Sequence, residues 1–170
     1  MPLVNVLMRK QIGNNTCWAA CAQMILETYG YDKGTSQSAV VKEICGTLQD
    51  FQGTPTEIGG VVSRLSGKRI HMHQFDRAMT IDELKAHLSN SCLVVADIGR
   101  HVVIVQGVGN TSGKIWVSDP DGGKLPAAGE TKGREIAYDD FVSSWKSSAA
   151  VFSWESASGG SGSTDPKPKQ

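Results

Sequence analysis

The sequence predicts an α+β protein, with helices in its first part and an antiparallel sheet in the rest. Residues 14–65 carry helical spacing and helix-capping residues, whereas residues 68–154 consist mostly of short apolar or alternating runs. Two of these runs are joined by the turn sequence GNTSG, which is typical of an antiparallel hairpin. The chain has 170 residues, 39% of them hydrophobic, which is enough for one domain with one core.

The first predicted helix lies within residues 14–30 and reads NNTCWAACAQMILETYG. Three side chains can cap its N-terminus and a glycine follows as a stop signal (Asn14, Asn15, Thr16 and Gly30). Only Gln23 and Glu27 are strongly polar within it. We therefore expect this helix to be buried on nearly all sides.

The remaining elements follow in order along the chain. Helices are expected within residues 35–48, 54–65 and 80–90, and capping boxes open the last two, formed by Thr54 with Glu57 and by Thr80 with Glu83. Strands are expected within residues 68–75, 92–98, 101–108, 114–120, 134–138 and 149–154, and a helical turn within residues 139–145.

Composition argues against several classes of protein. Seventeen basic residues balance seventeen acidic ones without long runs of either sign, so we expect neither a nucleic-acid partner nor a polybasic membrane surface. Charged residues interrupt the longest apolar runs, which argues against a membrane span, and the N-terminus offers no recognisable signal peptide. We expect a domain at residues 1–154 and a disordered tail at residues 155–170, which are rich in Gly, Ser and Pro.

Cys17 is the candidate nucleophile. It lies in the first turn of the first helix, where unpaired backbone N–H groups and the helix dipole stabilise a thiolate. The other three cysteines are expected to be small buried apolar residues, without a disulfide framework (Cys21, Cys45 and Cys92). We therefore expect alkylating reagents to modify Cys17 much faster than the others.

An acyl-transfer site also needs donors for the oxyanion and a base. Gln11 lies six residues before Cys17, and the loop between them can fold the amide beside the backbone N–H of Cys17. His101 is the candidate base because it opens an apolar strand, and strand ends present functional groups. Of the other three histidines, His71 and His73 alternate with apolar residues on one predicted strand and would share a face, and His87 lies in a predicted helix, where it is expected to be solvated or half-buried.

Asp119 is the candidate for the group that orients the His101 ring, because a neutral imidazole needs a partner for its second nitrogen. A hairpin centred on Asn110 would place His101 directly opposite Asp119 on the neighbouring strand. Asp97, four residues before His101, is the alternative carboxylate.

Together these residues resemble the papain-like cysteine peptidases in order and spacing: Gln11, then CWA at the head of a long helix, then His101 in HVVIVQG, then Asp119 in WVSDP. The likeness is greatest to the effector (avirulence-type) proteases that plant-pathogenic bacteria inject into host cells, and it covers residues 11–120. It implies a papain-like fold in which an N-terminal helical lobe, carrying the nucleophile helix, packs against a C-terminal antiparallel sheet.

The resemblance also implies the roles of the residues. Cys17 would be the nucleophile, His101 the general base and acid, Asp119 the orienting group and Gln11 the oxyanion donor, acting on a protein or peptide substrate without a metal or another cofactor. The chain differs from plant and lysosomal papains, which have a cysteine at the position of Asn14 and an asparagine at that of Asp119. These differences favour a bacterial branch, and the likeness to the injected proteases implies a secreted effector or toxin. Because only sixteen residues precede Cys17, the chain is interpreted as a trimmed or domain-sized form.

Three alternatives stay open. Transglutaminases, deamidases and cell-wall amidases use the same Cys-His-Asp order and also proceed through a thioester. A zinc site would leave the other candidate residues without a role, and its ligands would be Cys17, Cys21, His71 and His73. The third alternative is a catalytically inactive papain-like binding module.

Overall fold

The computed structural model of the chain describes residues 4–6, 9, 11–13, 15–31, 36–45, 53–99, 101–109, 113–121, 133–145 and 148–154. The helices in these ranges are α1 (Cys17–Thr28), α2 (Gln37–Cys45), α3 (Pro55–Leu65), α4 (Ile81–Ser89) and α5 (Tyr138–Val142). The strands are β1 (Ile70–Phe75), β2 (Leu93–Asp97), β3 (Val102–Val108), β4 (Lys114–Ser118), β5 (Arg134–Ala137) and β6 (Ala149–Trp154). The predicted α+β class is confirmed, while the predicted tail at residues 155–170 lies outside the described residues.

All six of these strands form one antiparallel sheet with the order β1-β6-β2-β3-β4-β5. All seven residues of β3 are buried, which requires cover on both faces of that strand. Helices α1 and α4 both contact β3. The strand that follows His101 is therefore held in the centre of the molecule.

Helix α1 is buried as expected, since every residue in it except Gln23 is buried. Its end is fixed by Gly30, which follows the C-terminus with φ +87°, a conformation that glycine adopts without strain. The hydroxyl of the fully buried Tyr29 lies 2.7 Å from the carbonyl oxygen of Ser91 and 2.9 Å from that of Phe152. This side chain attaches the end of α1 to the sheet.

Trp18 packs α1 tightly against the segment that leads into α3. Its side chain is completely buried, and a Cβ atom added at Gly53 would lie 2.5 Å from its ring carbon Cγ. Only glycine therefore allows the backbone at residue 53 to approach the indole face this closely.

The local helix signals in the sequence predict the starts of α3 and α4 correctly. Capping boxes form in both cases: Thr54 exchanges hydrogen bonds with Glu57, and Thr80 with Glu83. Of the three candidate caps of α1, Thr16 occupies the N-cap position but its side chain does not cap the helix. The Thr16 hydroxyl bonds to the backbone of Gly13 and makes no capping bond to α1.

The register of the β3–β4 hairpin differs from the prediction. A turn centred on Asn110 would have paired Ile104 with Trp116, but Ile104 pairs with Ser118, and an irregularity follows between Val105 and Gly107. The shift is two residues at the end of the hairpin that carries His101 and three residues beyond the irregularity, where Gly107 pairs with Trp116. A shift of two residues is a full side-chain period, so at the His101 end each side chain still faces the predicted side of the sheet. Asp119 therefore stays on the predicted face.

None of the helices in the described ranges combines the length and apolarity that a membrane span requires.

Candidate active site

Cys17 is the first residue of α1 and is buried. The turn before it is closed on itself, because the Thr16 hydroxyl accepts a hydrogen bond from the Gly13 N–H at 2.8 Å. The first N–H groups of α1 thus donate no hydrogen bond to the Thr16 side chain, and a helix N-terminus of this kind favours negative charge nearby. The predicted position of the thiol at the head of the helix is confirmed.

His101 and Asp119 lie at the same end of two neighbouring antiparallel strands. His101 directly precedes β3 and Asp119 directly follows β4. Nε2 of His101 is hydrogen-bonded to Oδ1 of Asp119, and the same carboxylate oxygen accepts the backbone N–H of Asp121 at 2.9 Å. The predicted contact forms, although the observed register makes it diagonal across the hairpin and not directly opposite.

The His101 ring lies between Asp119 and Cys17 and interacts with both. Partial burial lowers the pKa of His101, but hydrogen bonds to Asp119 and Cys17, with the negative charge of these partners, raise it from 6.5 to about 10. Because Nε2 bonds to Asp119, Nδ1 is the nitrogen left for the sulfur of Cys17. The structure therefore brings the three predicted residues together in one chain of contacts.

Gln11 lies in the turn that leads to Cys17, as expected. Its backbone N–H donates to the carbonyl oxygen of Pro120 at 2.8 Å, which places the turn beside the end of β4 that carries Asp119. Its side-chain Nε2 donates to the carbonyl oxygen of Gly13 at 2.7 Å. The amide is thus held in the loop before the nucleophile helix.

Two contacts that sequence reasoning missed fix this loop on both sides of Gln11. Arg9 donates to both carboxylate oxygens of the buried Glu27 on α1, at 2.9 and 3.0 Å. The backbone N–H of Ile12 donates to the side-chain oxygen of the buried Gln37 on α2 at 3.1 Å. The sequence did offer one sign of this, because a carboxylate on an otherwise apolar helix needs a buried partner.

Gln106 also supports the fold around the candidate site, and the sequence did not reveal this role. It is completely buried, and its amide oxygen accepts hydrogen bonds from the Ser118 hydroxyl and from the Gly133 N–H at 2.8 Å. Its amide nitrogen donates to the carbonyl oxygen of Val4 at 3.0 Å. This one side chain joins the N-terminal segment to β3, β4 and the start of β5, and its partner Ser118 directly precedes Asp119 in the chain.

The close packing at Gly133 gives a test of this support. An alanine Cβ there would lie 2.3 Å from the carbonyl oxygen of Val117 and 2.7 Å from the amide oxygen of Gln106. We expect Gly133→Ala to lower the free energy of unfolding by about 1–3 kcal/mol in urea titrations. The matched control is Gly60→Ala on α3, which meets no atom within 4 Å and should raise it by about 0.5–1 kcal/mol. A Gly133→Ala protein as stable as wild type would contradict the packing.

The alternative site residues take no part in this arrangement. Asp97, the rival carboxylate, accepts hydrogen bonds from the Gly99 N–H and the Ser148 hydroxyl. His71 and His73 are exposed on the edge strand β1, and His87 on α4 is half-buried, as expected of that residue. Within the described residues no group of three or more His, Cys, Asp or Glu side chains could hold a metal ion, so the alternative zinc site does not assemble.

The other cysteines fit their predicted structural roles in part. Cys21 is buried, and its thiol donates to the carbonyl oxygen of Val102 at 3.5 Å. Cys92 is only half-buried, and the side chain of Cys45 lies outside the described residues. Cys17, Cys21 and Cys92 are all free thiols.

A family model decides which family this fold belongs to. The model of the Peptidase_C39 like family matches residues 3–152, almost the whole of the described chain. The protein belongs to this family. It is therefore a cysteine peptidase of the papain-like clan, and the predicted resemblance is confirmed at that level. No curated protein sequence matches the chain.

Solved structures of C39 peptidase domains share the fold. The peptidase domain of Streptococcus ComA, a bifunctional ABC transporter of a quorum-sensing pathway, has a TM-score of 0.64 and 18% identity, covering 89% of this chain and 99% of that one. A double glycine motif protease from an AMS/PCAT transporter, in complex with the leader peptide, has a TM-score of 0.59 and 15% identity, covering 88% and 92%. A C39-like peptidase from Bacillus anthracis has a TM-score of 0.59 and 12% identity, covering 88% and 95%.

Proposed function

We propose that this C39-like protein hydrolyses peptide bonds through a triad of Cys17, His101 and Asp119. One observation carries the proposal: the His101 ring is hydrogen-bonded to Asp119 and interacts with Cys17 at the head of α1. A nucleophile, a base within reach of it and a third group that orients the base are the parts that acyl transfer requires.

In the proposed reaction, the sulfur of Cys17 attacks the carbonyl carbon of the scissile bond while His101 carries the thiol proton. The oxyanion receives hydrogen bonds from the backbone N–H of Cys17 and from the Gln11 amide. His101 then gives its proton to the leaving amine, and a thioester on Cys17 remains. Water, deprotonated by His101, hydrolyses the thioester and frees the enzyme.

Asp119 has the role of an orienting group in this scheme. By accepting the Nε2–H of His101, it fixes the ring with Nδ1 towards the sulfur and stabilises the imidazolium that forms. The carboxylate is itself held by the N–H of Asp121. The same scheme would serve transglutaminases, deamidases and amidases, which differ in the acyl donor and in the group that resolves the thioester.

The substrate proposed is a peptide or protein segment. One structural neighbour, the AMS/PCAT protease, is described in complex with a leader peptide, which supports a peptide as the substrate here. The narrower role of a secreted bacterial effector or toxin stays a prediction from the sequence.

A peptide-library cleavage profile tests the proposal. Wild type should cut a subset of peptides and yield free carboxyl termini, whereas the Cys17→Ala protein should cut none. Release of ammonia from glutamine side chains, or transfer to an added amine without hydrolysis, would favour a deamidase or a transglutaminase. The absence of any thioester chemistry would favour the inactive binding module.

The role of Gln11 can be separated from that of the nucleophile. We expect Gln11→Ala to lower kcat by about 10²- to 10³-fold, because one donor to the oxyanion is lost. Alkylation of Cys17 by iodoacetamide should continue at nearly the wild-type rate, because that reaction forms no oxyanion. Equal kcat values, or a parallel loss of alkylation, would remove Gln11 from the oxyanion hole.

A further inference from the structure

A pocket of about 160 Å³ lies beside the proposed triad, between one face of the sheet and α5. We call it the side pocket. Its apolar walls come from three strands, from the helix and from the residue that follows β2, and they are Val103, Val117, Ile136, Phe141 and Ile98. The strand residues share a face because Val117 pairs with Arg134, two residues before Ile136, across the β4–β5 ladder.

The entrance to the side pocket is polar. Arg134, Asp140 and Ser144 line it and are exposed, whereas Val103, Val117 and Phe141 are buried. An apolar interior with a small number of polar groups at its rim is the usual composition of a site for an uncharged organic group. An apolar cavity of about 150 Å³ can hold a benzene-sized group, so the side pocket has room for a leucine or phenylalanine side chain.

The side pocket shares one residue with the triad. Asp119 lines the pocket and also accepts the hydrogen bond from His101. In the proposed reaction His101 donates a proton to the leaving amine, so the part of the substrate after the scissile bond must lie on the His101 side of Cys17. An extended peptide advances about 3.3–3.6 Å per residue, which brings its first or second residue after the scissile bond past His101 to Asp119.

We propose that the side pocket binds an apolar side chain of the substrate, carried by the first or second residue after the scissile bond. The inference rests on the proposed peptidase function and adds a requirement on the leaving part of the substrate. Burial of a leucine or phenylalanine side chain there is expected to raise kcat/KM by about 10- to 100-fold over glycine.

The test uses internally quenched peptides built on a sequence that the library shows to be cleaved. The two residues after the scissile bond are varied among Gly, Asp, Leu and Phe. Wild type should prefer Leu or Phe at one of them. Ser144→Trp, which places a large ring at the entrance, should reduce the Leu/Gly ratio of kcat/KM to near one.

The matched control is Ser143→Trp, since Ser143 is an exposed neighbour on the same turn that does not line the pocket. It should keep the wild-type ratio. A second variant, Ile136→Ala, enlarges the pocket and should shift the preference from Leu towards Phe. Circular dichroism and melting temperatures of the three variants show whether each is folded.

The outcomes separate the two proposals. If wild type cleaves peptides in a Cys17-dependent way but shows no apolar preference after the scissile bond, the pocket proposal is wrong and the peptidase stands. The same conclusion follows if Ser144→Trp and Ser143→Trp keep the same Leu/Gly ratio. If neither wild type nor Cys17→Ala cleaves any peptide, both proposals fail.

Discussion

Replacement of Cys17 by alanine is expected to abolish peptide hydrolysis, lowering kcat by about 10⁴- to 10⁶-fold, because the members of a catalytic triad act as one unit. The substitution removes a single sulfur atom from a buried position at the head of α1, so the fold should be kept at a cost of about 1 kcal/mol. Initial rates on the best library peptide, together with a urea titration, measure both effects.

Cys21→Ala is the matched control for this prediction. Cys21 lies one turn further along α1, and its thiol is buried. Burial, with the nearby charges of Cys17 and Asp119, raises the pKa of the Cys21 thiol well above its ordinary value, so it is an inert group at neutral pH. Cys21→Ala should retain most of the wild-type activity. Loss of activity in Cys21→Ala but not in Cys17→Ala would show that Cys21, and not Cys17, is the nucleophile.

The second large effect is expected at His101 and Asp119. His101→Ala should remove turnover to the same extent as Cys17→Ala, whereas Asp119→Asn should lower kcat by about 10²- to 10⁴-fold because the ring loses its orientation. His73→Ala and Asp121→Asn are the matched controls: both residues are exposed, and Asp121 contacts Asp119 through its backbone N–H alone in the described hydrogen bonds. Full activity of either site variant would remove that residue from the triad.

The same pair predicts a dependence of stability on pH. Because folding raises the pKa of His101 from 6.5 to about 10, the protonated ring stabilises the folded state fully below pH 6.5, and this contribution is lost as the pH rises to about 10. The difference in melting temperature between wild type and Asp119→Asn should therefore be largest near pH 6 and shrink towards pH 10. A difference in melting temperature that stays constant between pH 6 and pH 10 would show that the contact with Asp119 does not keep His101 protonated.

Most of the fold was predictable because its signals are local. The capping boxes at Thr54 and Thr80 define helix starts within four residues of sequence, and the apolar run of β3 identifies a buried strand without knowledge of its neighbours. The strand ends then determine where His101 and Asp119 lie. The candidate triad could be named for this reason, even though the expected register was displaced by two residues.

The features that were missed depend on long-range contacts. The register of the β3–β4 hairpin depends on the irregularity at Gln106. The hydrogen-bond partners of this side chain include Val4 and Gly133, which are far away in the chain. The bond between Arg9 and Glu27 likewise joins two segments eighteen residues apart. A polar residue in an apolar run indicates that a buried partner exists, but the sequence does not indicate which residue it is.

The most direct measurement of the central claim is the rate at which iodoacetamide modifies each cysteine, followed by mass spectrometry in wild type and in His101→Ala. If the His101 ring holds the proton of the Cys17 thiol, Cys17 should be modified at least about ten times faster than Cys21 or Cys92 in wild type, and His101→Ala should remove this advantage. Equal rates for the three cysteines in wild type, or a fast reaction of Cys17 that His101→Ala leaves unchanged, would contradict the account.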